Sequence, residues 1–132
     1  MEYLLDTNIC IYYFKGQFDI KEKIDNIGYK KFAISEITLA ELIYGAEKSQ
    51  KKDKNIQVVE DFAEKITIIP IFESIRIYGK EKARLKSKGM IISDLDLFIG
   101  STAIVNNMTL VTRNVRDFEK MENIKIENWI DN

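Results

Sequence analysis

Three acidic residues of this chain lie among apolar residues, where an isolated charge is costly. Asp6 closes the apolar opening of the chain, Glu41 lies within the mostly apolar residues 37–44, and Asp96 lies within residues 93–99. Acidic side chains are almost never fully buried unless another group compensates their charge. Because one divalent cation compensates several carboxylates, we expect these acids to hold a metal ion if the fold brings them together.

The chemistry open to such a site is metal-assisted hydrolysis of a phosphodiester. Mg²⁺ or Mn²⁺ held by carboxylates activates a water molecule and stabilises charge on the phosphate in the transition state. Four polar residues beside the acids or beyond a strand end are candidates to hydrogen-bond a ligand, a water molecule or the phosphate: Thr7, Asn8, Thr112 and Asn114.

The sequence contains no histidine, which removes most other hydrolytic chemistries. His-based acid–base catalysis, Ser-His-Asp and Cys-His nucleophilic sites and His-ligated zinc are all excluded. The single cysteine, Cys10, excludes an internal disulfide and fits a reducing cytoplasm. The net charge of −1 means that any contact with nucleic acid depends on local basic patches.

Length and composition predict a single domain over residues 1–132. Hydrophobic residues make up 45% of the chain and charged residues 31%, which is typical of a soluble globular protein. No apolar run approaches the roughly 18 residues of a membrane span, and we expect no signal peptide. The protein is therefore expected in the cytoplasm, without membrane contact.

Each acid also has a structural interpretation as a helix cap. Ser93 and Asp96 approximate a capping box, and Asp94 would favour a helix N-terminus through the helix dipole. Asp6 would serve as a cap or turn residue after a strand. A capping role for Asp96 is compatible with metal binding, so the two interpretations do not exclude each other.

Glu41 has a cap interpretation as well, because Thr38 precedes it by three residues. Helical periodicity already begins at Ile37, which predicts that the helix starts near Ser35 and that Glu41 lies well inside it. The helix is apolar on two faces, so we expect it to be largely buried. Glu41 then points into the protein or into a cleft.

Short β-rich runs alternate with helical patterns, which predicts an α/β protein with a largely parallel sheet. The predicted strands are Tyr3–Asp6, Phe32–Ile34, Thr67–Ile71, Thr109–Thr112 and Ile124–Trp129. Apolar stripes predict helices between them, around residues 20–27, 56–66 and 95–103. Open α/β sheets bind ligands beyond the carboxyl ends of their strands, which is where Asp6 is expected.

Four segments of the chain match a known set of motifs, in order and over almost its whole length. They are residues 6–12, 34–49, 91–100 and 110–119, followed by residues 126–129. With these motifs the chain resembles the PIN-domain ribonucleases, and in particular the VapC toxins of VapBC toxin–antitoxin systems. The resemblance implies a PIN-like (Rossmann-like) three-layer sandwich, in which a mostly parallel sheet of about five strands is flanked by helices.

The resemblance also implies an activity and partners. It implies an endoribonuclease toxin, dependent on Mg²⁺ or Mn²⁺, that cleaves tRNA, rRNA or mRNA and so inhibits translation. A cognate VapB-like antitoxin would neutralise it, and a homodimer is expected because toxin-type relatives commonly dimerise.

Carried over residue by residue, the resemblance places Asp6, Glu41 and Asp96 on the family's acidic positions, as catalytic residues and metal ligands. Many relatives have a fourth aspartate where this chain has Asn114. Asp117 lies three residues further on and either replaces this acid or belongs only to the turn of residues 116–118. Asp94 is an additional acid near the site that would join the metal shell.

Basic and aromatic residues supply candidate contacts. Arg113 and Arg116 follow the strand beside the proposed site, and their guanidinium groups suit phosphate oxygens. The lysine-rich residues 48–54 and 80–88 are either solvated faces or a track for the RNA backbone. The adjacent aromatics of residues 12–14 cannot all face the core of one helix, so at least one is exposed or covers an interface, such as a groove for an antitoxin helix.

Two other functions fit parts of the sequence. A phosphatase of the haloacid-dehalogenase type would use Asp94 as nucleophile after a strand at residues 90–92, although few residues follow for the rest of that fold. A degenerate module that binds RNA or a partner without catalysis would explain Asn114 in the fourth acidic position.

Overall fold

Five parallel strands form one sheet in the computed structural model, which describes residues 1–131. The strands are β1 (Tyr3–Leu5), β2 (Phe32–Ser35), β3 (Thr67–Ile69), β4 (Thr109–Val111) and β5 (Lys125–Glu127). They lie in the order β3-β2-β1-β4-β5, and all four neighbouring pairs are parallel. The predicted α/β class and the number of strands are confirmed.

Helices cover both faces of the sheet and complete the three layers. They are α1 (Thr7–Lys15), α2 (Ile20–Ile27), α3 (Glu36–Glu47), α4 (Lys52–Lys65), α5 (Ile75–Ser87), α6 (Asp94–Val105) and the short α7 (Val115–Phe118). Leu4 and Leu110 belong to the apolar cluster under α5 and α6, whereas Leu5 and Val111 belong to the one under α1 to α4. Successive strand residues therefore alternate between the two clusters, as the pleat requires.

The direction of winding changes at the centre of the sheet. The chain builds β1, β2 and β3 toward one edge and then returns to place β4 on the other side of β1. Asp6 and Thr112 follow β1 and β4 directly, so both lie at the carboxyl edge where the strand order reverses. Ligand sites of open parallel sheets form at this type of switch point.

Helix α3 begins where its periodicity predicts. The Ser35 hydroxyl accepts a hydrogen bond from the Ile37 N–H at 3.1 Å and caps the helix, while Thr38 is buried inside it. The expectation of a largely buried helix is wrong, because Tyr44 is 66% exposed and Ala40 is also exposed. Only the side of α3 that faces the core is fully covered.

Residues 90–93 contain no strand, because they form the irregular connection between α5 and α6. The phosphatase interpretation needs an apolar strand directly before Asp94, so the structure contradicts it. Tyr12, Tyr13 and Phe14 are all partly buried, whereas Cys10 is fully buried. Within residues 1–131, no helix combines the length and apolar character that crossing a bilayer requires.

Candidate active site

Asp6 lies at the centre of the carboxyl edge and joins β1, α1 and β4. It is the N-cap of α1, where its Oδ1 accepts the Thr7 N–H at 2.8 Å. Its Oδ2 accepts the Thr112 hydroxyl at 2.8 Å. The side chain is only 5% exposed, so these two hydrogen bonds fix its orientation.

The charge of Asp6 is poorly compensated by the protein itself. Burial raises the pKa of Asp6 to about 6, because it outweighs the hydrogen bonds from Thr112 and Thr7; the negative charges of Asp96 and Glu41 contribute smaller parts of this rise. Within residues 1–131, none of the ion pairs includes Asp6, Glu41 or Asp96. A buried carboxylate in these surroundings is stabilised by any cation that can reach it.

Glu41 reaches the same region from α3. Its Oε1 accepts the Thr7 hydroxyl at 2.7 Å, and the Thr7 oxygen also lies 3.2 Å from that of Thr38. The Glu41 side chain is half-buried, in a cleft as expected. Thr7 therefore holds Glu41 beside the first turn of α1, one residue from Asp6.

Asp96 is the third residue of α6. The Ser93 hydroxyl accepts the Asp96 N–H at 3.2 Å and caps the helix, as the sequence predicted. Burial raises the pKa of Asp96, and the negative charges of Glu41 and Asp117 add to this rise. The charges of all four acids thus act within one region.

Asn114 and Asp117 act together on the far side of the site. The Asn114 amide Nδ2 donates to Oδ2 of Asp117 at 3.1 Å, and Lys120 Nζ lies 3.5 Å from Oδ1 of the same carboxylate. The Asn114 backbone N–H donates to the Thr112 hydroxyl oxygen at 2.9 Å. A continuous set of hydrogen bonds therefore links Asp6 to Asp117.

Asp94 has different surroundings, although it lies on the same helix as Asp96. Its Oδ1 accepts from Lys82 Nζ at 2.8 Å and from the Tyr78 hydroxyl at 2.9 Å, and its side chain is 57% exposed. The hydrogen bond from Lys82 is the main reason that the pKa of Asp94 is lowered. The structure thus places Asp94 in a surface ion pair between α5 and α6.

The remaining predicted residues divide into two groups. Thr112 and Asn114 use their side chains to hold acidic residues, whereas Asn8 and Arg116 are exposed near the ends of β1 and β4. The guanidinium of Arg113 donates to Asp131 and to the Tyr12 hydroxyl.

The donor set fits a hard divalent cation. In the described residues no three acids are close enough to form a ready-made metal cluster. Mg²⁺ nevertheless keeps several of its waters and commonly binds through one or two carboxylates, which Asp6 and Asp96 provide. The candidate ligands offer only oxygen, and the buried carboxylate of Asp6 lacks a cationic partner, so Mg²⁺ or Mn²⁺ suits these residues.

The structure also contains features that the sequence analysis missed. Thr38 supports Thr7, and Lys120 lies against Asp117; neither role has a local sequence signal. A groove of about 430 Å³ between α1, α3 and α4 extends from Glu41 along apolar residues that include Phe14 and Val58. Only the clustering of aromatics on α1 pointed toward such a groove.

The topology and the site together define a class of protein. It is a parallel α/β domain with one acidic residue directly after β1, at the switch point of the sheet, and others on α3 and α6 whose charges act on it. The family model of the PIN domain matches residues 3–124, and the chain belongs to this family.

Known relatives match over nearly the full length. The chain is 39% identical to "Ribonuclease VapC2" of Rickettsia felis and 37% identical to "tRNA(fMet)-specific endonuclease VapC" of Salmonella typhimurium; each alignment covers 98% of both chains. Among solved structures, a chain of DNA-bound VapBC from Salmonella typhimurium is similar with a TM-score of 0.91. That pair is 36% identical, with 98% of each chain covered.

Proposed function

We propose that this protein is a metal-dependent endoribonuclease that cleaves phosphodiester bonds of RNA and thereby inhibits translation. The observation that carries the proposal is the buried carboxylate of Asp6 at the switch point, which forms no ion pair within residues 1–131 and whose pKa is raised in part by the charges of Glu41 and Asp96. The curated relatives, which are named ribonucleases and a tRNA endonuclease, support RNA as the substrate. A tRNA, rRNA or mRNA substrate is consistent with these names.

The acids are assigned different parts in the reaction. Asp6 and Asp96 are the proposed ligands of Mg²⁺ or Mn²⁺, and Glu41 completes the ligand set. When bound, the ion would supply an activated water molecule and charge stabilisation at the phosphate. Thr112 and Thr7 hold Asp6 and Glu41 in position, so that neither carboxylate has to reorient during the reaction.

Residues around the acids are proposed to contact the waters, the phosphate and the RNA backbone. Asn114 and Asp117 are proposed to hydrogen-bond the waters or the phosphate on the β4 side of the site. Asn8, in the exposed first turn of α1, lies where the helix dipole favours a phosphate oxygen. Arg116 is exposed next to Asp117 and is the proposed contact to the RNA backbone.

We further propose that a cognate VapB-like antitoxin neutralises the enzyme in the cytoplasm, and that the toxin forms a homodimer. The similar solved structures are VapBC assemblies, which supports a partner of this kind. The apolar groove between α1, α3 and α4 ends at Glu41, so an apolar helix lying in it would block the site.

The test is cleavage of total cellular RNA by purified, antitoxin-free protein. We expect discrete fragments with Mn²⁺ or Mg²⁺ and none with EDTA. Asp96→Asn should abolish cleavage, because it removes one of the proposed metal ligands. Asp94→Asn is the matched control: it makes the same change two residues away on the same helix, in a carboxylate bound by Lys82, and should retain activity.

Two results would contradict the proposal. Full activity of folded Asp96→Asn would remove the metal-site assignment. A folded wild-type protein that binds RNA but never cleaves it would instead support the degenerate binding module.

A further inference from the structure

A cluster of one cation and two aromatic rings lies beside the acidic site and has no part in the proposed hydrolysis. It consists of Arg113 after β4, Tyr12 on α1, Phe18 in the loop between α1 and α2, and Asp131. We propose that this cluster, the stacking platform, binds a base of the RNA substrate a few nucleotides from the cleaved bond. The proposal rests on the proposed ribonuclease function and adds a base-binding subsite to it.

The guanidinium of Arg113 is held by its edges. Nε and Nη2 donate to the Asp131 carboxylate at 3.1 and 3.4 Å, and Nη1 donates to the Tyr12 hydroxyl at 3.2 Å. All three hydrogen bonds lie along the edge of the planar group, so none of them uses its faces. The guanidinium carbon lies 5.3 Å from the ring centre of Phe18 and 5.9 Å from that of Tyr12, within the range of cation–π contacts.

Phe18 is presented to solvent by an unusual backbone. Its φ is 58° and that of Asp19 is 56°, in the left-handed region that bulky side chains rarely adopt. The ring packs edge-on against Tyr12 with 4.9 Å between centroids, yet Phe18 is 44% exposed. Such conformations persist at ligand sites when the surroundings hold them, so this exposed ring has the character of a contact surface.

The stacking platform is connected directly to the acidic residues. Arg113 follows Thr112, whose hydroxyl donates to Asp6. Tyr12 lies six residues after Asp6, which is about 9 Å along the axis of α1. An RNA strand with its scissile phosphate at Asp6 therefore brings a neighbouring base within reach of Phe18 and Arg113.

A base suits the stacking platform better than a phosphate does. Asp131 offsets the charge of Arg113 and occupies the donors that would otherwise bind phosphate oxygens. The predicted phosphate contact of Arg113 is thereby replaced by a stacking role. Every base has a π-face, so stacking on aromatic rings or on arginine tolerates many sequences and requires unpaired nucleotides. The expected ligand is single-stranded RNA.

The test measures RNA binding by the full chain carrying Asp96→Asn, so that the probe is not cleaved. The probe is a fluorescein-labelled single-stranded RNA of mixed sequence, followed by anisotropy in Mg²⁺. Adding Phe18→Ala should weaken binding roughly 5- to 100-fold, as for loss of one base stack. Arg113→Lys keeps the charge but loses the planar group and should also weaken binding, whereas Phe18→Tyr should retain affinity.

Two further arms separate stacking from damage to the fold. Ile27→Ala is the control, because it removes an exposed apolar side chain at the end of α2, remote from the acidic residues. This variant should bind RNA with unchanged affinity. The RNA itself is then changed by making one nucleotide at a time abasic. One abasic position should weaken binding to the parent protein but cause no additional loss in the Phe18→Ala variant, because both changes remove the same contact.

The possible outcomes distinguish this proposal from the enzyme assignment. If Phe18→Ala and Arg113→Lys bind like the parent and no abasic position matters, the stacking platform is wrong while metal-dependent cleavage stands. If the wild type neither binds nor cleaves RNA, the ribonuclease proposal fails and the subsite fails with it. If RNA affinity is unchanged but affinity for the VapB-like antitoxin falls, the cluster belongs to the protein interface and the RNA assignment is overturned.

Discussion

At the scale of single residues, the carboxylates of Asp94 and Asp96 show how strongly surroundings decide chemistry. They lie two positions apart at the start of α6. The hydrogen bond from Lys82 lowers the pKa of Asp94. Asp96 is half-buried beside other acids, and these surroundings raise its pKa. Asp96 therefore has the stronger electrostatic reason to bind a cation.

Replacing Asp6 by Asn should stabilise the metal-free protein while abolishing cleavage. The folded state raises the pKa of Asp6 to about 6, so ionisation of this group opposes folding at neutral pH. Stability of the metal-free wild type should rise as the pH falls through 6, and Asp6→Asn should remove that dependence. We expect the variant to gain about 1–3 kcal/mol at pH 7.

Urea unfolding with EDTA at pH 7 and pH 5 measures this effect. The same measurement with Mn²⁺ should stabilise the wild type but not the variant. A variant that is less stable than the wild type at pH 7 without metal would show that the hydrogen bonds of Asp6 outweigh its charge.

Asn114→Asp introduces the acid that the motif resemblance leads us to expect at this position, and it should strengthen metal binding. The added carboxylate lies next to Asp117 and takes away the amide that now donates to it. Like charges repel, so the metal-free protein should lose stability while the half-saturating Mn²⁺ concentration for cleavage falls several-fold. An unchanged metal requirement would place residue 114 outside the metal shell; Asn106→Asp, on the C-cap of α6, is the control for added charge.

At the scale of elements, helix caps position two of the proposed ligands. Ser35 caps α3 and Ser93 caps α6, so the starts of both helices are set by local hydrogen bonds. The sequence predicted the capping arrangement at Ser93 and a start of α3 near Ser35. The exposure of one side of α3 could not be predicted from the sequence. Apolar periodicity describes the surface of a helix, but it does not show which other elements cover that surface.

Ser93→Ala should cost about 1 kcal/mol of stability, since the Asp96 N–H loses its acceptor. Cleavage should fall further than stability alone explains, because the first turn of α6 carries Asp96. The comparison is Ser87→Ala, which removes a serine hydrogen bond to Arg84 at the end of α5. Thermal unfolding and cleavage rates measured side by side separate the two effects, and equal activity of both variants would argue against a positioning role for the cap.

The ion pair of Glu81 and Arg84 fastens α5 to the segment after α7. Glu81 is 4% exposed and binds Arg84 at 2.7 and 2.9 Å, as well as the Glu122 N–H at 2.7 Å. The hydrogen bonds from Arg84 are the main reason that the pKa of Glu81 is lowered. The resulting stability is present at neutral pH and is lost as the pH falls below about 4, the ordinary range of glutamate.

Glu81→Gln should therefore lose about 1–3 kcal/mol at pH 7, in line with a hydrogen bond to a charged group. The difference from the wild type should shrink as the pH falls through the lowered pKa of Glu81, because both side chains are then neutral. Denaturant unfolding of both proteins between pH 7 and pH 3 measures this difference in stability. A difference that does not change with pH would indicate that the substitution disturbs packing, not that it removes a charge.

At the scale of the whole molecule, a feature could be predicted from the sequence when the residues that form it lie close together along the chain. The α/β class and the predicted strands follow from local patterns, as does the placement of Asp6 at a strand end. The resemblance in motifs predicted that Glu41 and Asp96 lie near Asp6, which local sequence patterns alone cannot establish. Contacts such as that of Arg113 with Tyr12, 101 residues apart, had no sequence signal at all.

The winding of the sheet has a consequence for the order in which the site is assembled during synthesis. β1 is made first, but its second neighbour, β4, begins only at Thr109. The carboxylate of Asp6 therefore lacks its hydrogen bond from Thr112 until 106 further residues have been made. We therefore expect the proposed ribonuclease site to stay incomplete until β4 has been made, so that a new molecule needs its inhibitor only after that point in its own synthesis.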